Sequence, residues 1–141
     1  MTDTELKQRT ETFTLRIMKL ADALPKTKSG HAIGAQIVHG GASVGANHRA
    51  SCRARSKAEF IAKIGVVEEA ADECGFWLEL IAEGGLRPAP KVSAFLQEAS
   101  ELTATMAASR ISAGRNRRTG TDCRLPIANC RINSVQSPSL T

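Results

Sequence analysis

A chain of 141 residues is long enough for about one domain, and 42% apolar residues suffice for one continuous core. Aromatics are scarce, at 4% with no Tyr, so that core must be built from Leu, Ile, Val and Ala between closely spaced elements, which favours helices. The net charge of +5 is unevenly held: residues 115–141 carry five Arg against one Asp, so the first 114 residues stand at only +1 and a uniformly basic body is excluded.

The first periodic segment spans residues 4–24, with Leu6, Thr10, Phe13, Ile17, Leu20 and Leu24 at alternating steps of four and three. That stepping is the seam of a helix packing against others. Thr2 and Glu5 offer a capping box at its start, and Pro25 ends it. In the second segment Ser29 is the expected N-cap, and Ile33, Ile37, Gly40 and Val44 continue the stepping to about residue 53. Glycines at 30, 34, 40, 41 and 45 each weaken a helix by up to about 1 kcal/mol relative to Ala. Close approach of a neighbouring helix would compensate, so Gly40, Gly41 and Gly45 are expected at packing contacts, with Asn47 satisfying a polar contact within or between bundles.

Ser56 and Glu59 form another capping box, followed by the clearest seam in the chain: Phe60, Ile64, Val67, Ala71, Cys74, Leu78 and Ile81. Val66, Ala70, Trp77 and Leu80 widen that stripe, as in a helix buried on more than one side. A helix over 56–83 would be about 42 Å long, and GGLRPAP supplies the glycines and prolines that stop it. The fourth segment, 91–113, carries Val92, Phe95, Ala99, Leu102, Met106 and Ser109. No strand-like alternation of useful length is present. The fold class is therefore all-α, an up-and-down antiparallel four-helix bundle over residues 1–113, with residues 114–141 as a disordered, flexible basic tail.

The stretch GGASVGANHRASCRARSKAEF, residues 40–60, invites sharper readings. A phosphate loop needs Lys and Ser or Thr after its second glycine, because the ammonium neutralises phosphate while the hydroxyl holds magnesium. Ala46 and Asn47 stand there instead. His48 and Cys52 lie one helical turn apart but lack the further ligands of a structural zinc site, so a surface histidine beside a semi-buried cysteine is expected. The residues three before His31, His39 and His48 are Lys28, Gln36 and Gly45, which excludes the Glu-x-x-His signature of a di-metal bundle. Cys74 falls on the apolar seam, where a thiol is an inert core group. With all three histidines on one helix and no acid near them, no catalytic set is expected, nor any metal or cofactor.

Charge remains. Arg49, Arg53, Arg55 and Lys57 fall within nine residues without an acid, whereas Glu68, Glu69, Asp72, Glu73, Glu79 and Glu83 load the far part of the third helix. Such a basic corner can bind nucleic-acid phosphates through counterion release, or meet the acidic stretch of a neighbouring subunit in an assembly scaffold. Cys52, Cys74, Cys123 and Cys130 are too few and irregular for a disulfide framework, and MTDTELKQRTE lacks the apolar core of a signal peptide. No stretch approaches the roughly 20 apolar residues of a membrane span. A reducing cytoplasm is the expected location.

The stretch QIVHGGASVGANHRASCRARSKAEFIAKIGVVEEAADECGFWLELIAEGGL, preceded by ALPKTKSGHAIGAQ, closely resembles the four-helix-bundle proteins related to those encoded in 23S rRNA intervening sequences. The likeness runs from about residue 9 to about 112. It rests on Ser43-Val44-Gly45-Ala46-Asn47, on the Arg-x-Arg-Ser-x-x-Glu-Phe junction from Arg53 to Phe60, and on Trp77-Leu78-Glu79-Leu80. The resemblance implies a ring-like homo-oligomer, a pentamer, and a nucleic-acid role with RNA or DNA as partner. Relatives of this type tend to have Arg and Ser where this chain has His39 and Gly40, and Tyr where it has His48.

Overall fold

The structure, a computed structural model, describes the backbone of residues 1–118 and the side chains of residues 1–115. Four helices follow one another: α1 (Asp3–Asp22), α2 (Lys28–Ser51), α3 (Lys57–Glu83) and α4 (Ala89–Arg118). Short connections force neighbours antiparallel, and no strand occurs among the described residues. The expected tail lies outside the described residues from position 119 onward.

The caps explain most boundaries. Thr2 Oγ1 accepts the Glu5 amide at 3.1 Å, and Ser56 Oγ accepts the Glu59 amide at 3.0 Å, so α1 and α3 begin at the two predicted capping boxes. The start of α2 differs from the expectation: Thr27 is the N-cap, accepting from the Gly30 amide at 3.0 Å, and Ser29 already lies inside the helix. A Cβ on Gly30 would sit 1.9 Å from the Pro25 carbonyl oxygen, so the tight entry from α1 needs glycine there. At the other end, Gly85 adopts φ +72° and the Leu86 amide returns to the Ile81 carbonyl at 2.9 Å, closing α3 in a Schellman-type turn.

The five seam positions within α1, Leu24 just beyond it, and all seven of α3 are buried. Of the wider face of α3, Ala70 is buried and Trp77 and Leu80 are half-buried, but Val66 stands out with 40% exposure. α3 packs against α2 on one side and α4 on the other, while α1 rests mainly on α2 and barely approaches the α4 backbone. The small residues of α2 permit the close contacts. A Cβ on Gly41 would lie 2.9 Å from Ile17 Cγ2, one on Gly45 2.7 Å from Thr14 Oγ1, and one on Gly40 3.0 Å from Cys74 Sγ. Gly41 and Gly45 thus face α1, whereas Gly40 faces α3. The approach is near enough for Thr14 Oγ1 to donate to the Gly41 carbonyl at 2.7 Å.

Across the α1–α4 seam the link is made by long side chains. Arg9 donates to both Glu98 oxygens at 2.6 and 2.7 Å and also to Glu101, and Arg16 lies 4.9 Å above the Phe95 ring. α4 itself continues through the expected end at 113 to Arg118. Its inner face there is Ala108, Ser109, Ser112 and Ala113, all buried. Small residues carry little hydropathy signal, which is why the stripe looked finished at Ser109.

Candidate nucleic-acid interface

The α2–α3 connection is a five-residue turn, Cys52 to Ser56, held from inside. Ala54 is fully buried, its amide reaching the Ser51 carbonyl at 3.2 Å while the Arg53 amide reaches Ala50 at 3.0 Å. With Ala54 pinned inward, the residues on either side point out. Arg49, Arg53 and Arg55 are all exposed, and Arg55 meets one acid, Glu59, at 3.8 Å with 90% of its own side chain in solvent. Such a pair contributes little.

Lys57 departs from the predicted patch. It is 3% exposed, and its Nζ has no hydrogen-bond partner. It precedes Phe60 and Ile64 by three and seven residues, which puts it on the inner stripe of α3. The basic corner is therefore three arginines. Asn47, assigned a polar contact, donates to the Ser43 carbonyl and hydroxyl at 3.0 Å, one turn back in its own helix.

Topology adds cations that sequence spacing hides. Arg110 pairs with Glu68 at 2.7 Å, fixing the antiparallel register of α4 on α3. Followed from that pair, the last turns of α4 run beside the first turns of α3. Arg115 is exposed there. The same pair engages Glu68 within the chain, and Glu73 accepts from Trp77 Nε1 at 3.4 Å.

His48 is 2% exposed, contrary to the expected surface position, because it lies four residues beyond Val44 on the buried face of α2. Its Nδ1 is 4.0 Å from Cys52 Sγ. Among the described residues no group of three or more His, Cys, Asp or Glu could hold a metal ion. Burial, assisted by the neighbouring Glu73 charge, pushes the Cys74 thiol up to about 12, so it stays protonated and unreactive. No described helix is long and apolar enough to cross a membrane.

A family model described as 23S rRNA-intervening sequence protein matches residues 2–108. The chain belongs to that family. Among solved structures, a protein with unknown function from the S23 ribosomal protein family of Bacteroides thetaiotaomicron is 26% identical, with a TM-score of 0.70 over 74% of this chain and 97% of that one. Among curated proteins none matches. The 23S rRNA-intervening sequence family match includes the α2–α3 corner but stops short of Arg110, Arg115 and the basic end of α4.

Sequence reasoning missed a second group of cations at the opposite end of the bundle. Arg16 and Lys19 of α1 share a cleft with Arg87 and Lys91 near the start of α4. About seventy positions separate the two pairs, so no local charge count could join them.

Proposed function

We propose that this member of the 23S rRNA-intervening sequence family is a non-enzymatic, oligomeric helical bundle that holds nucleic-acid backbone at the α2–α3 corner. The observation that carries this reading is the outward set of Arg49, Arg53 and Arg55 on one short connection, with a single weak acid contact among them. Guanidinium groups suit phosphate oxygens through paired N–H donors. Residues 49–59 include no aromatic ring on which a base could stack, so the corner favours backbone over sequence.

Fluorescence anisotropy with an arbitrary single-stranded RNA tests the proposal. Binding should weaken as salt rises, with a logarithmic slope of about 0.7 per phosphate contact. The triple variant Arg49→Gln, Arg53→Gln, Arg55→Gln should lose most of that affinity, while Lys57→Met should leave it nearly unchanged. Equal affinity in the triple variant and the parent would refute the reading.

An assembly scaffold without a nucleic-acid role is the second reading, favoured by apolar side chains left in solvent. Leu15 is 60%, Met18 46% and Phe76 51% exposed. The ring-like pentamer implied by family resemblance would give such residues partners, and solution mass measures it directly.

A further inference from the structure

The cleft between the end of α1 and the start of α4 encloses about 200 Å³ and is lined by Arg16, Lys19, Leu20, Arg87, Lys91 and Phe95, with Ala23 at its edge. Four cations and no acid face this space. None of the four takes part in an ion pair among the described residues; the acids nearest on α4, Glu98 and Glu101, are taken by Arg9. Arg87 Nε is buried without a hydrogen-bond partner.

Ordinary structural roles account for two of the four. Lys19 lies in the last turn of α1, where a cation complements the exposed carbonyls. Arg16 stacks on Phe95 at 4.9 Å. Arg87 and Lys91 have no such account: they flank the positive end of α4, whose first turn contains no acid to offset it. A cleft of one charge sign with partly apolar walls concentrates its potential and attracts a counter-ion.

We propose that this cleft is a phosphate-group site, in which Arg87 and Lys91, with Arg16 and Lys19, receive one tetrahedral anion. Its volume is below the roughly 300–1,000 Å³ of sites that enclose a whole small molecule. It suits a single phosphate whose remaining structure, if any, extends into solvent. Arg16, 4.9 Å from the Phe95 ring centroid, adds its charge at the apolar wall. The source of the phosphate is either the free ion or a nucleic-acid backbone, and the chemistry at the cleft is the same for both. The proposal does not rest on the α2–α3 corner.

The test compares three proteins: the parent, Arg87→Gln with Lys91→Gln, and Arg49→Gln with Arg53→Gln. Each is melted in inorganic phosphate and in chloride of equal ionic strength, and each is titrated with a labelled single-stranded RNA. Far-UV circular dichroism verifies the fold, and the charge-conserving pair Arg87→Lys with Lys91→Arg serves as rescue. If free phosphate is the ligand, it raises Tm above the chloride value in the parent and in the corner variant, but not in the cleft variant. If backbone phosphate is the ligand, RNA affinity falls about tenfold or more in the cleft variant and returns in the rescue. A cleft variant matching the parent in both measurements overturns the site, as does a parent indifferent to both ligands. Loss confined to the corner variant overturns it too, and places phosphate binding at the other end.

Discussion

A methyl group on Gly41 would stand 2.9 Å from Ile17 Cγ2 and 3.1 Å from its Cβ, and a β-branched side chain cannot swing clear. Gly75 sits in the middle of α3 with nothing within 4 Å of the same position. Both substitutions to Ala gain up to about 1 kcal/mol of helix propensity, but Gly41→Ala also incurs an overpacking cost of about 1–3 kcal/mol. Urea unfolding should therefore show Gly75→Ala above the parent and Gly41→Ala below it; the same sign for both would mean that α1 and α2 are not wedged together. Cys74 offers a pH test. Its thiol is raised from the ordinary 9.0 to about 12 by burial, so the folded state holds a proton that the unfolded chain releases. That contribution is full below about pH 9 and fades as pH climbs toward 12. The stability gap between the parent and Cys74→Ala should narrow between about pH 7 and about pH 10, and a constant gap would contradict the burial. The buried seams of α1 and α3 were legible because most steps of three or four met a large apolar residue, with Thr10, Ala71 and Cys74 too few to break the pattern. Lys57 and His48 obey the same stepping, yet their residue types suggested surface, and position on the stripe prevailed over chemistry.

Helix boundaries were readable where a side-chain cap announced them, as at Thr2 and Ser56. They were misplaced where the signal was steric or faint. Gly30 fits under the Pro25 carbonyl only because it has no Cβ, and the end of α4 buries Ala and Ser, whose spacing draws no attention. The α1–α4 seam was not legible at all, since the residues that close it are about ninety positions apart. Arg9 holds Glu98 through two hydrogen bonds with three-quarters of each side chain withdrawn from water, a geometry in which a charged pair contributes more than on an open surface. Gln97 first, then Arg9, holds the Glu101 carboxyl below its usual range, so its share of the tie is present at neutral pH and lost on acidification. Arg9→Gln should lower unfolding stability by about 1–2 kcal/mol, with Glu98→Gln adding little more in the double variant. Additive effects in that cycle would show that the two side chains act separately.

At the scale of the whole molecule, cations gather at both ends of the bundle while α3 displays acids between them. The first end was partly readable, because Arg49, Arg53 and Arg55 are close in sequence; the second needed the fold to bring α1 and α4 together. What the isolated bundle leaves unexplained is apolar. Leu15 and Met18, three residues apart on α1, share one outward face and are 60% and 46% exposed. Neither contributes to the core, so charging them should not unfold the chain. If the bundles assemble through this face, Leu15→Glu with Met18→Glu should reduce the mass seen by light scattering toward the 15.0 kDa of one chain, with helicity and the cooperative melt preserved. Self-association strengthens weak phosphate contacts by presenting several copies of each basic end to one strand, so the same variant should bind a long RNA more weakly than the parent but a short one equally. An unchanged mass would exclude this face of α1 as the contact, and a lower mass with undiminished long-RNA affinity would separate assembly from nucleic-acid binding.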